Sequence, residues 1–127
     1  MEDRLDLATV TAPQLGRVGE RIAEHHLSAR GLRVVDRNWR CRRGELDLIA
    51  VDGDQLVFVE VKTRRSGRHG SAVEAVTLPK LARLRRLAGE WLQAHPGVGR
   101  AARIRIDVIA LEVRAGRVRI HHLEGVG

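Results

Sequence analysis

The chain has no tyrosine, one phenylalanine and two tryptophans in 127 residues. Flat rings are scarce, and a protein that grips single strands by stacking successive bases needs more of them. The single cysteine, Cys41, excludes an intramolecular disulfide and any CxxC zinc site. The six histidines include the pairs His25-His26 and His121-His122 but no HExxH or other spaced ligand set, so they read as surface or rim residues. No GxGxxG or Walker loop is present, and no apolar run approaches the length of a membrane span. The start, MEDRLDLATV, lacks the charged and apolar regions of a signal peptide. The expectation is a soluble cytoplasmic protein with no membrane partner. Lysine is nearly missing too: of 23 Lys and Arg, only Lys62 and Lys80 are lysine.

What is present is positive charge. A net charge of +7 and a pI of about 11.2 imply an anionic partner. The length fits one domain with a modest core. An ammonium is a compact charge whose pKa the surroundings can tune, unlike a guanidinium, so the position of each lysine asks for an explanation.

Lys62 lies in GELDLIAVDGDQLVFVEVKTR, residues 44 to 64. Leu46 to Val51 and Leu56 to Val61 are aliphatic, β-branched runs around the turn signal Asp52-Gly53-Asp54, the pattern of a β-hairpin. Alternation puts Glu45, Asp47 and Ile49 on one face of the first strand, and Phe58, Glu60 and Lys62 on one face of the second. An even-numbered loop centred on Gly53 and Asp54 places Asp47 directly opposite Glu60, whereas an odd-numbered loop separates them to opposite faces. Directly opposed side chains sit roughly 4.5–5.5 Å apart at Cβ, where like charges repel. A shared proton, a hard cation such as Mg²⁺, or Lys62 itself would offset that repulsion. A plain solvated face of an antiparallel sheet is the alternative.

The flanking chain frames this hairpin. Residues 1–12 read as a flexible segment, and 13–127 as a single domain. Thr11-Ala12-Pro13-Gln14 resembles a capping box, with Leu15, Val18, Ile22 and His26 following at helical spacing and Gly31 as the stop. At about 100° per residue, Glu20 falls on the edge of that apolar stripe, near Ala23 and Leu27. It reads equally as a site carboxylate or a solvated charge. Leu32 to Trp39 reads as a strand. Residues 63 to 72, TRRSGRHGSA, form a basic Gly/Ser-rich loop suited to phosphate contact through Arg64, Arg65 and Arg68, or simply to solvation. Thr77-Leu78-Pro79 opens a second helix carrying Lys80, Arg83, Arg85 and Arg86, which ends at His95-Pro96-Gly97. Arg103 to Val113 and Arg117 to Leu123 read as two final strands. Asp107, on the first of them, reads as structural.

With Gly19-Glu20, Arg37-Asn38, Gly44-Glu45-Leu46-Asp47-Leu48-Ile49-Ala50 and Val57-Phe58-Val59-Glu60-Val61-Lys62-Thr63-Arg64 in this order, the chain resembles the YraN family. That family is similar to the restriction-endonuclease-like PD-(D/E)XK nuclease superfamily. The resemblance runs from about Leu15 to about Leu123. Gly44-Glu45 stands where the superfamily motif has proline before the aspartate.

The resemblance implies an α/β fold of order αβββαββ, a mixed β-sheet flanked by helices. It implies Asp47, Glu60 and the main-chain carbonyl of Val61 as ligands for Mg²⁺ or Mn²⁺, with Lys62 beside them as a catalytic residue. Glu20 would match the first-helix carboxylate of resolvase-like members, and Lys80 the polar residue often found on the second helix. Lys80 would thus join Arg64, Arg65 and Arg68 in binding nucleic acid. The implied activity is metal-dependent hydrolysis of phosphodiester bonds in double-stranded or junction DNA, structure-specific and serving repair or recombination. The rivals are a non-catalytic nucleic-acid-binding module and a partner subunit of a DNA-processing assembly. Oligomeric state stays open, a homodimer included.

Overall fold

The structure is a computed structural model in which residues 10–65, 74, 76–98 and 103–127 are described. Most of the segment expected to be flexible, residues 1–9, and the loop position Arg68 lie outside the described residues. The elements are α1 (Ala12–Ala29), β1 (Arg33–Cys41), β2 (Gly44–Asp52), β3 (Gln55–Arg65), α2 (Leu78–Ala94), β4 (Arg103–Arg114) and β5 (Arg117–Leu123). This is the order αβββαββ expected from sequence.

Both helices begin where their side chains satisfy the free amides of the first turn. The Thr11 hydroxyl accepts from the Gln14 amide at 3.2 Å, while the Gln14 side chain accepts from the Thr11 amide at 2.8 Å. Pro13 then costs no hydrogen bond. The helix starts at Ala12, just inside the stretch expected to be flexible. Thr77 caps α2 in the same manner by accepting from the Lys80 amide at 3.3 Å.

The strands lie in the order β1-β2-β3-β4-β5, antiparallel throughout except for the parallel pair β3–β4. A parallel pair needs a crossover, and α2 lies within that connection. The helices cover opposite faces of the sheet. Ala23 and Leu27 of α1 pack on Leu48, Ala50, Val57, Val59, Ile109 and Leu111. Leu84, Leu87, Ala88 and Trp91 of α2 pack on Leu46, Ile49, Leu56, Phe58 and Ile106. The two near-continuous apolar runs of the hairpin follow from this, since both faces of β2 and β3 are covered. α1 approaches most closely at Gly19, where an added Cβ would lie 1.9 Å from the Thr63 hydroxyl oxygen. A side chain there requires Thr63 to turn away and Leu111 to give, or the helix to lift.

The hairpin turns on Gly53 and Asp54 between the paired Asp52 and Gln55. Gly53 has φ +61°, as glycine has at the first central position of a tight hairpin loop. The loop is even-numbered, so the parity needed to align Asp47 with Glu60 holds. The ladder nevertheless stops one pair short, at Leu48–Val59. Beyond it β2 continues along β1 and β3 continues along β4, so the two central strands part.

At the far side of the sheet Asp107 is fully buried. Burial alone would raise its pKa, but hydrogen bonds from His122, Arg105 and the Gly125 amide hold it below the usual carboxylate range. Arg105 reaches it with two bonds of 3.0 Å, His122 lies at 2.8 Å, and the Gly125 amide donates at 3.0 Å. His122 in turn meets His26 of α1 at 3.0 Å. The histidine pairs therefore do not all sit on the surface: His122 has a side chain only 7% exposed and is a structural partner of Asp107. A solitary acid in an apolar strand gives no sequence signal for this partner, which reaches it from the next strand. Asp107→Ala removes the acceptor of the Gly125 amide and two of the bonds of Arg105, which keeps Asp52 and Gln55. Breaking a buried pair of this type costs about 3–5 kcal/mol. Urea denaturation should show the midpoint falling accordingly, with the slope unchanged.

Candidate active site

The parting of β2 and β3 creates the site. Asn38 has φ +49°, a left-handed conformation that asparagine tolerates better than most residues. The β1–β2 register runs through Arg37–Leu48 and Trp39–Leu46 and skips the pair between them, Asn38 and Asp47. Strict alternation would put Leu46 and Leu48 on one face. Instead Leu48 packs under α1 and Leu46 under α2. Each is essentially fully buried, which contributes about 1.5–3 kcal/mol per side chain, so Asp47 between them is pinned.

Asp47 spans the gap and is itself half-buried. One of its carboxylate oxygens accepts from the Val61 amide at 2.8 Å, which gives β3 a partner after the ladder has ended. Burial pushes the Asp47 carboxyl up to about 7, the Val61 hydrogen bond opposes that shift, and the charges of Glu20, Glu60 and Glu45 add to it. Glu20 comes from α1 and is also half-buried. Its pKa is raised too, by burial first and then by Glu45, while a hydrogen bond from the Asn38 side chain and the charge of Arg17 lower it. Four carboxylates thus feel one another at the mouth of the fork.

Cations gather on the α2 side. Glu60 is buried, and its carboxylate takes the Arg83 guanidinium at 3.0 Å. Lys80 is half-buried on the first turn of α2. Burial lowers its pKa, as do the charges of Lys62, Arg64 and Arg83, while Glu60 raises it. Lys62 and Lys80, the two lysines of the chain, are therefore neighbours. Arg40 holds Glu45 at 3.1 Å on the rim. Arg65 is exposed and donates to the Val10 carbonyl at 2.6 Å, which ties the entry of α1 to the end of β3.

The structure brings Glu20, Asp47, Glu60, Lys62, Arg64 and Lys80 into one neighbourhood, with Val61 engaged through its amide. Three further participants are not evident as site residues from sequence. Arg83 looks like decoration of its helix, yet it lies three residues after Lys80 and so shares its face. Asn38 carries a signal in its tolerance of positive φ. Glu45 carries none, because alternation alone does not show where a strand loses its partner.

Among the described residues no three His, Cys, Asp or Glu side chains converge as a ready-made metal centre. The donor set still fits a hard divalent ion held by two carboxylates, with water and phosphate completing the shell. All its donors are oxygens, and Asp47 is a half-buried acid surrounded by like charges.

The proton held by Asp47 also enters the stability of the fold. In the folded protein Asp47 keeps it up to a pH of about 7, whereas the unfolded chain releases it near the ordinary value of 3.8. The stability this confers is complete below the unfolded value and is lost as pH rises through the folded one. Metal-free protein should therefore lose stability across that window. Asp47→Asn should flatten the decline, as measured by thermal or urea unfolding at a series of pH values in a chelator.

Residues 19–111 match the model of the family described as "Uncharacterised protein family UPF0102". A UPF0102 protein of Kineococcus radiotolerans is 57% identical over 113 residues, covering 88% of this chain and 92% of that one. Another from Beutenbergia cavernae is 59% identical over 114 residues, covering 89% and 95%. Among solved structures, a repair endonuclease from Pyrococcus abyssi has a TM-score of 0.44 at 15% identity. Pyrococcus furiosus SfsA in complex with Ca²⁺ has a TM-score of 0.40 at 16% identity. Each covers 91% of this chain, which spans 42% of the first structure's chain and 64% of the second's. The family match and the near-full-length relatives establish that this chain belongs to the UPF0102, or YraN, family.

Proposed function

We propose that this protein is a divalent-metal-dependent nuclease that hydrolyses phosphodiester bonds in duplex or junction DNA during repair or recombination. The observation that carries the reading is the Asp47 carboxylate. It is bridged to the Val61 amide and crowded by Glu20, Glu45 and Glu60, the last of which also faces the neighbouring ammoniums of Lys62 and Lys80. A carboxylate kept partly protonated by burial, and further by like-charged neighbours, is a poor structural element and a good cation ligand.

Asp47 and Glu60 supply the two negative donors, with the Val61 carbonyl as the expected third. Mg²⁺ or Mn²⁺ held there supplies Lewis-acid polarisation of the phosphodiester and activation of water near neutral pH. Lys62 places its ammonium where negative charge develops on the phosphorus centre, and a low-dielectric setting strengthens that stabilisation. Glu20 orients water from the α1 side through its half-buried carboxylate. Lys80, Arg64 and Arg65, with Arg68 a few positions on in the sequence, hold the flanking phosphates. Such contacts position DNA without reading its bases, in keeping with the shortage of aromatic platforms.

The ion pair between Glu60 and Arg83 favours a second reading, a non-catalytic binding module or a partner subunit. There Glu60 would already have its permanent counterion.

Cleavage separates the two. Purified wild type, Asp47→Asn and Lys62→Ala are assayed on duplex, single-stranded, flap and junction DNA with Mg²⁺ or Mn²⁺. The nuclease reading expects wild-type cleavage, none by Asp47→Asn with its metal-free DNA binding intact, and a large drop in turnover for Lys62→Ala with metal binding retained. Cleavage surviving in both variants sinks the site assignment, and no cleavage on any substrate favours the second reading. For the binding face, replacing Arg64, Arg65 and Arg68 by alanine should weaken all sequences alike. It should also flatten the dependence of log K on log[salt] by about 0.9 for each phosphate no longer neutralised. An unchanged slope places the binding face elsewhere.

A further inference from the structure

Arg83 takes no part in the nuclease chemistry proposed above, yet it grips one of the metal's expected ligands. Glu60 has a side chain only 11% exposed, and it pairs with the Arg83 guanidinium 3.0 Å away. A buried carboxylate needs such a partner, but this one occupies an oxygen that a metal would need. Arg83 itself is 47% exposed, so its side chain reaches Glu60 from the solvent edge.

Its backbone, in contrast, is fixed. Leu84, Leu87, Ala88 and Trp91 anchor α2 in the core below the sheet. The Trp91 indole donates to Asp36 of β1 at 2.8 Å. Any exchange of partner by Arg83 is therefore a side-chain rotation over a rigid helix. Around it the charges are lopsided. Lys80 feels the charges of Lys62, Arg64 and Arg83 against that of one buried carboxylate, Glu60, which Arg83 holds. A divalent cation entering alone meets this excess of positive charge, and an anion entering alone meets the carboxylate cluster of Glu20, Glu45, Asp47 and Glu60. Entering together, each offsets what repels the other.

We infer that Arg83 is an exchangeable counterion that couples the two events: it holds Glu60 while the site lacks metal, and passes to a DNA phosphate once a divalent ion takes Glu60. The inference rests on the nuclease site proposed above and names how its two ligands communicate. Guanidinium suits the exchange because its planar fork pairs with a carboxylate or a phosphate in the same geometry. No covalent bond is made or broken; one ion pair replaces another. Thermodynamic linkage requires that the metal tighten DNA by the same factor as DNA tightens the metal, and Arg83 is the residue through which that factor arises.

The test uses binding, without turnover. Mn²⁺ is titrated calorimetrically into full-length wild type, Arg83→Ala and Arg83→Lys in the absence of DNA. Fluorescent duplex and four-way-junction oligonucleotides are then titrated by anisotropy over a range of salt, in EDTA and in Ca²⁺, another oxygen-seeking divalent ion. Arg83→Ala should bind Mn²⁺ several-fold more tightly than wild type, because the competing cation is gone. It should match wild type on DNA in EDTA, where Arg83 is committed to Glu60. In Ca²⁺ its salt slope should be shallower than wild type's by about 0.9, the value for one phosphate. Arg83→Lys should restore most of that slope. Where Arg83→Ala fails to fold by circular dichroism, Arg83→Gln, which keeps a hydrogen bond without charge, takes its place with the same expectations. Equal Mn²⁺ affinity in wild type and variant, or a slope reduced equally in EDTA and Ca²⁺, overturns the exchange and leaves Arg83 a fixed ion pair or an ordinary phosphate ligand. Wild type that binds Mn²⁺ and DNA as described without cleaving leaves the exchange standing and removes only the turnover. Wild type that binds no Mn²⁺ removes both.

Discussion

One hydrogen bond, from the Val61 amide to the Asp47 carboxylate, stands at the point where two central strands separate. Strand separation inside a sheet leaves amides and carbonyls without partners, and buried ones are costly. β2 and β3 meet that cost by leaning outward on β1 and β4, and by letting one side chain replace a missing ladder bond. The opening so made is what admits groups from both faces. Glu20 arrives from α1 above the sheet, and Lys80 and Arg83 from α2 below it. In an unbroken sheet these groups would be walled apart by the strands between them.

The electrostatics of the opening follow from this convergence. Carboxylates dominate toward α1 and cations toward α2, with Glu60 belonging to both groups. Neither half is stable as a fully charged, dry cluster. Asp47 meets the strain by holding its proton, and Lys80 by a lowered pKa. Glu60 takes Arg83. In the proposed nuclease each of these adjustments would be reversed by a ligand of the right sign, as no adjustment in an already satisfied network would be.

Asp107 is the satisfied counterpart. That carboxylate has no exposed surface at all, yet its pKa is lowered, because two guanidinium bonds, an imidazole and an amide complete its shell. Arg105 extends the network to Asp52 at 3.2 Å and Gln55 at 2.9 Å. It thereby fastens both ends of the hairpin turn to β4. The C-terminal residues close the same network: the Val126 amide donates to the Ile106 carbonyl at 2.8 Å, and Val126 packs against the α2 core. The satisfied network holds β3, β4 and β5 in register, so the unsatisfied one can sit on a rigid frame.

The frame is readable in the sequence and the fork only partly so. The capping box at Thr11, the turn at Gly53 and the apolar runs of the hairpin obey local rules, since each depends on residues within a few positions of one another. Asp47, Glu60 and Lys62 stand out because charge among aliphatic residues violates alternation and needs a reason. Strand separation, however, is a tertiary event: it depends on Asn38 of β1 leaving the regular backbone and on Leu46 and Leu48 choosing opposite cores. Arg83 is unreadable for a related reason. On a helix rich in arginine, only the depth of Glu60 on another element decides which guanidinium becomes a partner. His122 follows the same rule, for its role comes from a buried acid on the neighbouring strand. Residues whose role is to answer a buried charge become legible only once burial is known, and Arg83 and His122 both answer one.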